Sequence, residues 1–231
     1  MLTRAEQDYI KAIYRLEEAE GFATTTSLAG MLGVRAASVS GMLKKLGQEE
    51  LIRRRTQKGV CLTESGRMTA LEVLRRHRLI ELFLVDILGM EWESVHQEAE
   101  KMEHAVSDEV VARIDKLLGY PKFDPHGAPI PSQRGTVDRR ETVRLDQLPS
   151  GGKGTVCEVN DGDSEMLKHL KSIGLVPGAE VDVIELIAVD GTRVVSCNGR
   201  ELNVSRKVAS AVRIGDDCRG EAGDRDRRET E

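Results

Sequence analysis

Glu100, Glu103 and His104 occupy positions i, i+3 and i+4 of the stretch E-A-E-K-M-E-H at 98–104. On a helix this spacing puts two carboxylates and an imidazole on one face, within reach of a single ion. Carboxylates that close repel each other unless something positive lies between them. A solvated, charged helix face has the same pattern, with Lys101 and Arg113 as loose counter-charges; E-x-x-E-H alone fits both readings. Neighbouring residues favour a metal. His96 stands eight positions before His104, roughly two helical turns away on a similar face. His77 and Glu81 form a second i, i+4 pair, and three of the five histidines fall in this region beside carboxylates. An exposed helix ion pair is the bland alternative for His77 and Glu81, and it would contribute only tenths of a kcal/mol. Asp8, further upstream, is placed to close such a site from another segment.

These side chains need elements to hold them. Residues 3–20 put Tyr9, Ile10, Ile13, Tyr14 and Leu16 at helical spacing, and Gly21 ends the helix. Thr25 or Thr26 is suited to cap a short second helix ending at Gly33. A brief turn leads to a third helix, ASVSGMLKKLGQEE, whose buried stripe is Val39, Met42, Leu43 and Leu46. LIRRRTQKGVCLTESG then alternates around Gly59 as a hairpin would. Helix, turn, helix and basic hairpin make a winged helix-turn-helix. From Arg67 to about Leu118 the pattern is helical. Its Met68, Leu71, Leu74, Leu79, Ile80, Leu82, Phe83 and Leu84 offer more apolar surface than so small a unit needs, as a homodimer seam would. Pro121, Pro125, Pro129 and Pro131 exclude helix or central strand from the loop that follows. From about Glu141 short β-like runs, broken by G-G, D-G and N-G turns and by one helix, SEMLKHLKSIG, fit a small barrel. The residues after Ile214 are charged and poor in apolar side chains, as disordered tails are.

The fold class expected is therefore α+β and multidomain. It comprises a winged helix-turn-helix over 1–66, an all-helical dimerisation and metal-binding domain over 67–135 and a linker over 136–150. A small β-barrel over 151–215, which the resemblance given below implies to be SH3-like, and a disordered tail over 216–231 complete it.

Net charge is −5 over 231 residues, but it is unevenly spread. Between Arg35 and Arg67 eight basic residues face three acidic ones, a local excess that suits a polyanion. The second helix of a helix-turn-helix enters the major groove by its N-terminal residues, here Arg35, Ala37, Ser38 and Ser40, with Lys44 nearer phosphate. Arg53, Arg54, Arg55 and Lys58 on the wing are expected to hold phosphates, although charged hairpins also serve to block edge-to-edge aggregation. Gly41 and the adjacent alanines offer little direct base readout, so DNA shape should carry much of the specificity.

Hydrophobic residues make up 39%, charged residues 32% and aromatic residues 3%, a soluble and helix-rich composition. No apolar run approaches the roughly 18 residues that span a bilayer, and the N-terminus has no signal-peptide core, so a cytoplasmic protein without membrane contact is expected. Cys61, Cys157, Cys197 and Cys218 are widely separated and read as reduced thiols.

RRHRLIE, then VHQEAEKMEHAVSDEVVARI, behind a winged helix-turn-helix and ahead of DPHGAPIP, resembles the diphtheria toxin repressor family. The resemblance covers nearly the whole chain, including the C-terminal SH3-like (FeoA-like) domain of the longer members. It implies a metal-dependent transcriptional regulator, mainly a repressor, of manganese and iron homeostasis genes. Such a protein is no enzyme: it binds palindromic double-stranded operator DNA as a homodimer and has no small-molecule substrate. The family's primary site maps onto Asp8, Glu100, Glu103 and His104. Iron-sensing members carry methionine and cysteine where Asp8 and Glu100 stand, so the ligands here match the manganese transport regulators. Oxygen ligands with one imidazole favour Mn²⁺, with Fe²⁺ as the alternative; Zn²⁺, Co²⁺, Ni²⁺ or Cd²⁺ would also bind in vitro. Lys11 replaces a carboxylate that the short manganese regulators use to pair two metals. The family's ancillary site maps onto His77, Glu81 and His96, completed by Asp163 and Glu165 from the barrel. Two other classes meet part of the pattern: a metal-independent winged-helix regulator answering an organic effector, and a metallohydrolase. The hydrolase lacks an evident separate base, and it leaves the basic segment without a role.

Overall fold

The protein, described here as a computed structural model, is defined at residues 2–55, 59–216 and 218. Lys58 and, apart from Asp216 and Cys218, the expected tail lie outside these residues. The chain forms two compact units. The first comprises Met1–His77, Glu103–Val106 and Pro131–Val137; the second comprises Arg78–Met102, Ser107–Ile130 and Asp138 onward.

In the first unit, α1 (Arg4–Glu20) starts with a capping box. The Thr3 hydroxyl accepts the Glu6 amide and Glu6 Oε2 accepts the Thr3 amide at 2.7 Å, which satisfies two end donors. Gly21, with φ of +80°, ends the helix in a left-handed turn. α2 (Thr25–Leu32) is capped by Thr24 rather than by Thr25 or Thr26: the Thr24 hydroxyl accepts the Ser27 amide at 3.0 Å, and Ser27 reciprocates. α3 (Ala36–Gln48) buries Val39 and Leu46 completely, with Met42 and Leu43 packed partly against the core. The hairpin pairs β1 (Ile52–Arg55) with β2 (Gly59–Leu62), Ile52 opposite Leu62, and β2 is tied to Ala23 through Val60. Ile10, Ile13, Leu28, Val39 and Leu46, all fully enclosed, join these elements in one core. Each such aliphatic side chain contributes roughly 1.5–3 kcal/mol on burial. The winged helix-turn-helix arrangement is therefore present, with Arg53, Arg54 and Arg55 exposed on the wing.

Helix α4 (Glu64–Asp86) begins in the first unit and ends in the second. The second unit continues with α5 (Val95–Met102) and α6 (Asp108–Leu117). Six of the eight apolar residues expected at a dimer seam, Leu71, Leu74, Leu79, Ile80, Leu82 and Leu84, are already covered within the single chain. In the second unit the apolar side chains left exposed are others, among them Ile87, Leu88, Val110, Leu117 and Tyr120.

The second unit also holds an antiparallel six-stranded sheet in the order β3-β8-β4-β5-β6-β7. Its strands are β3 (Val143–Arg144), β4 (Lys153–Val159), β5 (Glu180–Ile187), β6 (Thr192–Cys197), β7 (Arg200–Val204) and β8 (Val212–Gly215). α7 (Ser164–Ile173) and α8 (Arg206–Ser210) complete it. β3 falls inside the stretch expected to be linker and pairs with β8. Alternate residues of the strands, Val181, Val183, Val195 and Ile214 among them, build a second core with Leu167 and Leu170 of α7. Between Val156 and Glu158 the β4–β8 register slips by one residue, and Cys157 sits at the slip. Cys157 is joined to Cys218 in a disulfide, contrary to the expectation of four reduced thiols; Cys61 and Cys197 are free. The pairing spans 61 residues and needs β4 and the segment after β8 to be adjacent, which spacing alone does not reveal.

Candidate metal centre

Two groups of ligand-type residues stand out, one in each unit. In the first, α1 presents Asp8, and the segment 103–106 presents Glu103 and His104. Their ligand atoms lie within 4.8 Å of one another. His104 Nδ1 is 2.7 Å from Gln7 Oε1, an atom that can only accept, so Nδ1 carries the proton. In the neutral ring Nε2 is then a lone pair; it lies 2.9 Å from Asp8 Oδ1 and 3.1 Å from Glu103 Oε1. Three acceptors facing one another are mutually repulsive unless a cation or a proton joins them, so the donor set fits a metal.

Glu103 is almost wholly buried and is held from two further sides. Lys11 Nζ approaches Oε1 at 2.6 Å and His77 Nδ1 approaches Oε2 at 2.5 Å. Burial alone would raise its pKa; the hydrogen bond and charge of His77, then those of Lys11, bring it below the ordinary carboxylate value. Lys11 thus puts an ammonium directly against this carboxylate.

In the second unit, Glu81 on α4 is fully buried, and its Oε1 lies 3.0 Å from His96 Nδ1 on α5. Asp161 Oδ2, from the turn between β4 and α7, lies 3.5 Å from the same nitrogen. Glu100 Oε1 is 3.7 Å from His96 Nε2. The structure therefore brings Asp161, and not Asp163 or Glu165, beside His96. Asp163 caps α7, its Oδ1 accepting the amides of Glu165 and Met166, and Glu165 pairs with Lys168 at 2.7 Å on the surface. Capping determines this: an Asp just before a helix satisfies first-turn amides and points at its own backbone. Also buried here are Asp124 and His126, on the proline-rich loop that sequence reasoning left without chemistry. Burial, then the charge of Glu81, pushes Asp124 up to about 7. The D-P-H-G run, two ligand-type side chains within three residues, was the available signal for them; Gln7 carried none.

Arg35, the N-cap residue of α3, and Ala37, Ser38, Ser40 and Lys44 on the helix are all exposed, whereas Val39 and Leu46 are buried. The Arg55 guanidinium donates to the Gly21 carbonyl, which fastens the wing to the end of α1. Lys45, also on α3, is ion-paired with Glu6 at the start of α1.

Three family models match the chain. Residues 1–60 match the N-terminal DNA-binding domain of iron-dependent repressors, 63–132 their metal-binding and dimerisation domain, and 143–215 the FeoA domain. The iron-dependent repressor IdeR of Mycobacterium tuberculosis is 34% identical over 218 residues, spanning 89% of this chain and 94% of that protein. A manganese-dependent transcriptional repressor solved with manganese is 37% identical and superimposes with a TM-score of 0.85, over 91% of this chain and 99% of that one. The manganese regulator SloR is 35% identical with a TM-score of 0.78, over 94% and 100%. Among the described residues no helix is long and apolar enough to cross a membrane.

Proposed function

The chain belongs to the iron-dependent repressor family of metal-dependent transcriptional regulators, and from that premise we propose that Mn²⁺, with Fe²⁺ as the alternative, is its corepressor. The observation that carries the proposal is the meeting of His104 Nε2 with the Asp8 and Glu103 carboxylates, an oxygen-rich set with one imidazole. The E-x-x-E-H motif assigns Glu100 to the same ligand set. Glu81, His96 and Asp161, with His77 carried over from the motif, form the ancillary set, and Asp161 takes the place assigned to Asp163 and Glu165. A bound divalent cation would supply the positive charge that lets the clustered carboxylates stay together.

The chain's own residues transmit this. Asp8 is part of α1, and α1 carries α3 with it through the shared core of Ile10, Ile13, Val39 and Leu46 and through the Glu6–Lys45 ion pair. Holding Asp8 against His104 and Glu103 therefore restrains the recognition helix as well. The effect is a shift toward the DNA-competent population, bounded by the difference in metal affinity between the two states. The operator is palindromic double-stranded DNA read by a homodimer, as the match to a dimerisation domain supports. The protein acts in the cytoplasm and catalyses no reaction. Operator affinity with and without Mn²⁺ for wild type, Asp8→Ala and His104→Ala tests the reading. Both variants should lose the metal-stimulated gain; if either keeps it in full, this cluster is not the corepressor site.

A further inference from the structure

Cys157 stands where β4 slips against β8. Val156 pairs with Ile214 and Glu158 with Arg213, so Cys157 is the extra residue of a bulge, with nothing opposite it. Gly127, with φ of +87°, lies so close that a Cβ there would stand 1.8 Å from the Cys157 carbonyl oxygen. Just beyond, the Val159 amide donates to the His126 carbonyl and the Asn160 amide to the Ala211 carbonyl, each at 2.9 Å. The chain then reaches Asp161, whose Oδ2 lies 3.5 Å from His96 Nδ1. A bulge re-aims the strand that carries it, so whatever holds Cys157 bears on where Asp161 points.

The side chain is held by Cys218. Their disulfide joins the bulge to a residue three places past the end of β8. Gly215 leaves room for it, since a Cβ there would stand 2.8 Å from Cys157 Sγ. Both bonded cysteines are buried, and the other two, Cys61 and Cys197, are free. β4 and β8 are already paired through their ladder, so the bond is not what brings the strands together. In the cytoplasm, where the reading above places the protein, small thiols keep cysteines reduced, and the disulfides that form are mostly transient, catalytic or redox-sensing. Cys218 lies outside the sheet, so its sulfur can be reached without unpairing a strand.

We propose that Cys157 and Cys218 are a reversible thiol–disulfide couple: its oxidised bond stiffens the β4 bulge, and its reduction loosens the segment that leads to Asp161. The exchange partner is a dithiol. One of its thiolates attacks Cys218 Sγ, the bond to Cys157 breaks, and Cys157 leaves as a thiolate that takes a proton from water. The second thiolate then attacks the dithiol's own sulfur in the mixed disulfide. Cys218 leaves and is protonated in its turn, and the dithiol departs as a cyclic disulfide. Two electrons have passed to the cysteines, and a small-molecule disulfide reverses both steps. The couple stands without the metal reading, which supplies only what the loosened segment would affect.

The full metal-free chain, equilibrated with reduced and oxidised dithiothreitol at a series of ratios, tests it. Acid quenching, unfolding and alkylation let the mass count the free thiols. The count should rise from the two of Cys61 and Cys197 to all four under reducing ratios, and return to two on reoxidation. Reduction should also speed hydrogen exchange at the Val159 and Asn160 amides by about tenfold or more, while the amides of α1 keep their rates. Cys218→Ser, which leaves β4 untouched, should exchange at the reduced rate at every ratio. Four thiols throughout, or a bond that yields only when the chain unfolds, would overturn the couple. Equal exchange at Val159 and Asn160 in both states would overturn its hold on β4. Dialysis against Mn²⁺ keeps the two readings apart. An affinity that falls on reduction in wild type but not in Asp161→Ala supports both. Faster exchange with unchanged affinity sinks the metal role of Asp161 and leaves the couple standing.

Discussion

Lys11 Nζ lies 2.6 Å from Glu103 Oε1, and both side chains are enclosed by protein. The ammonium therefore holds the Glu103 carboxylate in place. Removing one partner of a buried pair leaves an uncompensated charge, at a cost of roughly 3–5 kcal/mol. Lys11→Met should destabilise the metal-free chain by about that much in urea titration, and clearly less in saturating Mn²⁺. An equal loss with and without metal would mean that Lys11 does no more than pack.

Asp161 and Asp163 are two residues apart and do different work. Asp161→Ala should lower metal uptake while leaving the metal-free melting temperature almost unchanged. Asp163→Ala should leave uptake intact and cost about 1 kcal/mol of stability through the lost cap of α7. Dialysis and thermal melts on both variants check the assignment; the reverse pattern would restore Asp163 as the ligand.

Glu6 joins the start of α1 to Lys45 on the recognition helix. The hydrogen bond from Lys45, then those from Thr3, hold its carboxyl at about 2 against an ordinary 4.5. A group whose folded pKa is depressed contributes stability that is present above the unfolded value and is lost as pH falls through the folded one. The melting-temperature gap between wild type and Glu6→Gln should therefore be full above about pH 4.5 and close as pH falls toward 2. A gap that persists at the acid end would show that Glu6 acts by shape and not by charge.

Arg53 and Arg54 are exposed on β1. If each neutralises one phosphate, Arg53→Ala and Arg54→Ala should each reduce the slope of log affinity against log salt by about 0.9, with little change in preference among operators. Anisotropy titrations at several salt concentrations measure it. An unchanged slope would make the wing a solubility device.

Much of the fold was legible from the order of residues because its signals are local. Helical spacing marked α1 and α3, Gly21 and Gly33 marked helix ends, and alternation around Gly59 marked the wing. E-x-x-E-H and His77/Glu81 marked candidate ligands for the same reason, since a helix face is set by spacing of three and four. What failed to show was long-range or depended on backbone competition. Thr24 took the cap from Thr25 and Thr26 because only its hydroxyl meets the Ser27 amide. The expected dimer seam was largely internal core, since periodicity reports that a face is apolar but not what covers it.

The chain's order thus determined the helical faces, the basic stretch and the ligand types, which are properties of near neighbours. Tertiary structure alone decided that Asp161 and not Asp163 meets His96, that Lys11 sits on Glu103, and that Cys157 finds Cys218. It also decided that His126 is buried beside Glu81 and Asp124. Each of these is a contact between segments far apart in sequence. The folded backbone sets their distances, and the hydrogen bonds already satisfied decide which side chain remains to act.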